Sequence, residues 1–164
     1  MLKVLPPDNL KQSAPDVAAP SSLYERDFNL WIEEQVRLLK ERNFETLDLE
    51  NVIEELDSMG RSDKHSLSSH LRNLILHLLK YRFQKDQRSS SWRGSIVEAR
   101  YQIEDILRTS PSLRRFIHER ISEGRVYKNA VKSAIIETAL PASTFPPELP
   151  FTLEEMLDEE FWPE

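Results

Sequence analysis

The sequence predicts an all-α protein, a compact helical bundle of about five main helices with a short helix near the C-terminus. Three observations carry that expectation. Apolar residues recur at spacings of three and four through most of the chain, which lines them along one face of a helix. No stretch alternates apolar and polar residues as a half-buried strand would, and no period of solenoid length repeats. With 39% hydrophobic and 30% charged residues, the 164-residue chain has the balance of a folded protein with well-solvated surfaces. One core suffices at this length, so residues 22–164 are expected to form a single helical domain.

The elements follow in chain order. Pro6, Pro7, Pro15 and Pro20 restrict the backbone and remove hydrogen-bond donors, so residues 1–21 read as a flexible N-terminal tail. Helical spacing begins near Ser22 or Tyr24 and runs to about Arg42, with Phe28, Trp31, Ile32, Gln35, Leu38 and Leu39 on one face and Trp31 as a core anchor. Thr46 or Asp48 caps a second helix that continues to about Ser58 and exits at Gly60. Its buried stripe is Leu49, Val52, Ile53 and Leu56, flanked by the carboxylate line Glu50, Glu54 and Asp57.

A third helix from Ser62 toward Phe83 shows the broadest apolar surface, through Leu67, Leu71, Leu74, Ile75, Leu78 and Leu79, which calls for more than one neighbouring helix. The Asp86–Ser90 stretch interrupts the period before Ser91 or Ser95 caps a fourth helix containing Trp92, Ile96, Ala99, Ile103, Ile106 and Leu107. Ser110-Pro111 opens a fifth region reaching Ala139, inside which Gly124 argues against one uninterrupted rod. After a proline-marked loop, Thr152-Leu153-Glu154-Glu155 reads as a capping box leading to Leu157, and Phe161-Trp162-Pro163 as an apolar clasp.

Composition limits function. The absence of cysteine excludes a disulfide scaffold, a thiolate nucleophile and cysteine-ligated zinc. No apolar run approaches the ~20 residues that cross a bilayer, and the first residues lack the apolar core of a secretory signal. A cytoplasmic, non-membrane protein is the expectation. A net charge of −6 makes nucleic acid an unfavourable partner.

Two groups of residues carry chemistry. His77 falls near the apolar face of the third helix, where an imidazole nitrogen needs a partner. If Glu54 converges on it together with Glu50 or Asp57, oxygen and imidazole donors could bind a divalent metal such as manganese, iron or zinc. The alternative is a buried polar network that sets helix register. Separately, Ser91-Trp92-Arg93-Gly94-Ser95 offers Arg93 to a phosphate or carboxylate beside Trp92, or else to internal pairing with Glu54, Asp57 or Glu98. It is not a Walker phosphate loop.

The ordered phrases Tyr24-Glu25-Arg26-Asp27-Phe28, Leu49-Glu50-Asn51-Val52-Ile53-Glu54-Glu55-Leu56, Leu76-His77-Leu78-Leu79-Lys80-Tyr81, Ser91-Trp92-Arg93-Gly94-Ser95-Ile96, Ser110-Pro111-Ser112-Leu113 and Asp158-Glu159-Glu160-Phe161-Trp162-Pro163 resemble the bacterial domain-of-unknown-function family twenty-nine. The resemblance spans about residues 24–163. It implies an α-helical architecture and carries over no reaction, cofactor or catalytic residue. Tyr81 stands where relatives often have tryptophan.

The leading functional expectation is a helical interaction or structural module, binding a second copy of itself or another protein through charged ridges and apolar edges. A metal-dependent hydrolase using Glu50, Glu54, Asp57 and His77, and a small-anion sensor using Trp92 and Arg93, stay open beside it.

Overall fold

Ser22 begins the described chain with a capping box. Its hydroxyl accepts from the Glu25 amide at 3.3 Å, while the Glu25 carboxylate accepts from the Ser22 amide at 3.2 Å. Helix α1, Leu23–Arg26, is one turn long because Asp27 leaves helical geometry and caps α2, Phe28–Lys40, accepting from the Leu30 amide at 3.0 Å. The long first helix expected from Ser22 is therefore split, since the Asp27 side chain competes for amides that would otherwise bond along one rod. Arg42 ends the element in the left-handed region at φ 57°, and the Asn43 amide reaches back to the Leu38 carbonyl at 2.9 Å.

The computed structural model describes residues 22–164. The flexible tail expected over residues 1–21 lies outside the described residues. Among the described residues the elements are α1, α2, α3 (Leu49–Phe83), α4 (Ser90–Thr109), α5 (Leu113–Ser122), α6 (Arg125–Thr138) and α7 (Leu153–Leu157), with one-turn 3-10 segments at Lys85–Gln87 and Ala142–Thr144 and no strand. None of these helices is long and apolar enough to cross a membrane. The chain divides into two units, one ending at Glu54 and one running Glu55–Glu164, so the division falls within α3.

In the first unit, Trp31 is only 4% exposed and anchors as the sequence suggested. Its indole donates to the Asp48 carboxylate at 3.0 Å, and the Gln35 side-chain oxygen accepts from the Asp48 amide at 2.9 Å. Asp48 in turn accepts from the Asn51 side chain at 2.8 Å, so one carboxylate ties α2 to the start of α3. The Asn51 amide, with the Trp31 indole assisting against burial, holds the Asp48 carboxyl below its ordinary pKa.

Helix α3 overturns one expected boundary. Gly60 does not end a helix; the two helices predicted on either side of it are one rod of 35 residues, about 50 Å long. A glycine in a helix interior costs ~1 kcal/mol relative to alanine, which an otherwise continuous ladder with no nearby proline outweighs.

The core of the second unit is built on the C-terminal half of this rod. Leu67, Leu71, Leu74, Ile75, Leu78 and Leu79 are fully buried together with Ile96 and Ile103 of α4, Ile117 of α5, Ala130 and Ala134 of α6 and Met156 of α7. The small alanines let α6 approach closely, while Leu153 and Met156 of α7 and the following Phe161 and Trp162 join the same core. Ser89, rather than Ser91 or Ser95, caps α4 by accepting from the Trp92 amide at 3.3 Å. Ser110 ends α4 and does not cap α5 with its side chain; its carbonyl accepts from the Leu113 amide at 3.0 Å.

The expected fifth region is two helices. Gly124 takes φ 66°, a left-handed turn that breaks α5 from α6 and that a Cβ disfavours. Tyr127 then holds the following proline-rich loop by donating to the Pro146 carbonyl at 2.6 Å. Thr152 and Glu155 form the reciprocal capping box read from the sequence, and α7 ends at Leu157.

Candidate interaction surface

Glu50, Glu54, Asp57 and His77 all stand on α3. Asp57 and His77 are separated along this unbroken helix by ~30 Å of rise, and Glu50 and Glu54 lie nearer its N-terminus. The proposed metal set depended on a turn at Gly60 folding the acidic line back on His77, and that turn does not form. Among the described residues no three histidine, aspartate or glutamate side chains gather as a metal site.

His77 is half-buried, and its Nδ1 is buried without a hydrogen-bond partner. Burial, reinforced by the Lys80 charge and opposed by Glu137, pushes its pKa below the ordinary histidine value. Lys80 itself is buried, pairs with Glu137 at 2.6 Å and sits 4.5 Å above the Trp92 ring. Trp92 thus caps an ion pair by cation–π contact.

Arg93 donates to the Tyr81 hydroxyl at 3.2 Å and faces the Trp162 ring at 5.8 Å, rather than pairing with Asp57 or Glu98. Arg88 donates from Nε to the Tyr81 carbonyl at 2.8 Å and from Nη2 to the Pro163 carbonyl at 2.9 Å. Tyr81 and Trp162 pack with centroids 5.4 Å apart, so the closing aromatic residues do fold back as a clasp. The C-terminal residues Trp162 and Pro163 thus meet these cations through an indole and a main-chain carbonyl.

The central residue of that clasp escaped the sequence reading. Arg100, only 2% exposed, donates from Nε to Met156 O at 2.8 Å, from Nη1 to Glu159 O at 3.2 Å and from Nη2 to Phe161 O at 2.7 Å. Burial pushes its pKa down, while Asp158, Glu159 and Glu104 act in the opposite sense. The signal was present: Arg100 lies between Ile96 and Ile103 at i+4 and i+7 on the buried stripe of α4. A cation in such register needs acceptors, and backbone carbonyls supply them.

The open chemistry of the first unit is apolar. On α2, the Trp31, Gln35 and Leu38 face is buried. Adjoining it, Phe28, Ile32, Val36 and Leu39 repeat at helical spacing and are each between 39% and 44% exposed. These side chains form half of a normal core stripe left in water. On α3, Leu49 and Ile53 of this unit are 56% and 52% exposed, Leu56 at the start of the second unit is 63% exposed, and no residue of that helix is buried before Leu67. The expected burial of Leu49, Ile53 and Leu56 is thus overturned, because no described helix covers that face.

Acid surrounds these stripes. Residues 22–54 carry Glu25, Asp27, Glu33, Glu34, Glu41, Glu45, Asp48, Glu50 and Glu54 against Arg26, Arg37, Lys40 and Arg42. Glu34 and Glu41 are engaged by Arg37 at 2.7 and 2.5 Å. Two apolar helix faces framed by excess carboxylate suit an amphipathic helix with basic flanks.

The family model described as "Domain of unknown function DUF29" matches residues 23–162. No curated protein and no solved structure matches the chain.

Proposed function

From the premise that the chain belongs to the DUF29 family, we propose that it is a helical interaction module that binds a basic amphipathic helix of another protein through the apolar faces of α2 and the start of α3. The observation that carries this reading is the exposure of side chains spaced as a core, Phe28, Ile32, Val36 and Leu39 on one helix and Leu49 and Ile53 on the next. Exposed apolar surface organised at helical spacing marks a binding face, whereas single exposed residues do not. Charge selects the occupant. Nine carboxylates against four cations in residues 22–54 repel a second copy of the same face and attract lysine- and arginine-rich helices. The same excess repels nucleic acid, and a cysteine-free chain suits the reducing cytoplasm.

The test uses two synthetic amphipathic helical peptides of equal length, one leucine/lysine and one leucine/glutamate, titrated calorimetrically into the full chain. The leucine/lysine peptide is expected to bind at least ~10-fold more tightly, with affinity falling as salt rises. Ile32→Glu and Ile53→Glu should each abolish that difference without unfolding the protein. Equal binding of both peptides, or full binding by the variants, overturns the proposal. Concentration-dependent self-association that Ile32→Glu dissolves would instead make a second copy the occupant.

A further inference from the structure

A second surface, built entirely from residues of the second unit, has the opposite charge. A cleft of about 320 Å³ opens among α3, α5 and the N-terminus of α6. From α3 it takes His65, Ser69 and Arg72, spaced i, i+4 and i+7 so that all three share one helix face. Arg120 enters from α5, and Arg125 and Asn129, also four apart, enter from α6. No carboxylate lines it.

The electrostatics of this cleft are unbalanced. Arg120 pairs with Glu123 at 2.7 Å, yet its Nε is buried without a hydrogen-bond partner. The side chains of Arg72 and Arg125 make no ion pair, hydrogen bond or ring contact with any other described residue. Elsewhere in the same unit, arginines such as Arg88 and Arg100 are satisfied by carbonyls of the chain. The first turn of α6 adds to the positive potential: Gly124 provides no side-chain cap, no acidic residue occupies that turn, and the helix runs 14 residues. Arg72 and Arg125 thus add two uncompensated guanidiniums beside the Arg120–Glu123 pair, and an anion between them offsets their repulsion.

We propose that this cleft binds the phosphate group of a small phosphorylated molecule. A phosphate monoester carries close to two negative charges near neutral pH and three terminal oxygens. Those oxygens can accept from guanidinium forks on different helices at once, and serine, asparagine and backbone amides complete the set. The volume lies at the low end of ligand pockets, which suits a small molecule rather than a polymer. The site is distinct from Trp92, whose ring lies under the Lys80 ammonium, and from Arg93, which donates to the Tyr81 hydroxyl.

The test titrates the full chain with inorganic phosphate, phenyl phosphate and citrate at ionic strength held constant with sodium chloride, by calorimetry and by thermal unfolding. Saturable binding of the two phosphates, with a rise in Tm, is expected. Inorganic phosphate binding as tightly as phenyl phosphate would identify the free ion as sufficient, and tighter phenyl phosphate binding an ester; either supports the site. Arg72→Gln and Arg125→Gln should each weaken binding by ~10-fold or more. In phosphate-free buffer both variants should unfold at or above the Tm of the parent, because removing a cation relieves repulsion. Binding of citrate but not phosphate, an equal response in parent and variants, or variants already destabilised without anion would overturn the proposal.

Discussion

Arg100→Met should loosen the C-terminal clasp, and the size of the effect follows from what the guanidinium holds. Three carbonyls, those of Met156, Glu159 and Phe161, lose their donor at once. At ~1.5 kcal/mol for each charge-assisted bond, the low end of the usual range, the loss is about 4–5 kcal/mol. A thioether no longer requires a charge to be kept out of water, which returns part of that sum. The net expectation is a destabilisation of about 3 kcal/mol, large beside the ~1 kcal/mol of an ordinary substitution. Arg100→Lys should lose nearly as much, because a single ammonium cannot reproduce a fork that serves three acceptors. Urea unfolding followed by far-ultraviolet circular dichroism measures both, and a double-mutant cycle with Trp162→Ala tests whether the residue acts through the clasp. The Trp162 ring lies 5.4 Å from the guanidinium, so the two substitutions should be non-additive by ~1 kcal/mol or more. A loss under ~1 kcal/mol for Arg100→Met, or strict additivity in the cycle, would refute the reasoning.

Other substitutions probe separate links. The depressed pKa of His77 means that the unfolded chain binds its proton more readily than the folded one. Its contribution is therefore present above the ordinary value of ~6.5 and is lost as pH falls through the depressed folded value; His77→Gln should flatten that part of the urea-midpoint profile, and an unchanged slope would contradict the assignment. Gly124→Ala places a Cβ at φ 66° and should destabilise by ~1 kcal/mol, whereas Gly60→Ala, with open space in the interior of α3, should stabilise by ~0.5–1 kcal/mol, both read from Tm. Ile32→Glu and Ile53→Glu should change stability by less than ~0.5 kcal/mol, since exposed positions away from packed features tolerate exchange; a large loss would show that these side chains support the fold.

The parts legible in the sequence were those governed by local rules. The α7 capping box needs only Thr152 and Glu155 three residues apart, and the α3 core stripe needs only leucines at turn spacing. Local rules failed where two outcomes differ by about a kilocalorie. Gly60 and Gly124 carry the same propensity penalty, yet one continues a helix and the other turns left-handed to end one. The interior metal site failed with Gly60, because its ligands depended on where the chain reversed. Arg100 was legible in principle as a cation on a buried stripe, but its acceptors are backbone carbonyls 56 to 61 residues away.

Periodicity by itself determined that this protein is helical, which residues wish to leave water and where an aromatic anchor such as Trp31 must sit, because those follow from side-chain direction along a single rod. Tertiary structure alone decided which apolar stripes receive a cover. Leu67, Leu71 and Leu74 find helices to pack against, while Phe28, Ile32, Leu49 and Ile53 present the same pattern to solvent. A helix specifies its own faces through the geometry of one turn, but what shields a face depends on contacts distant in sequence, and those exist only once the chain has folded.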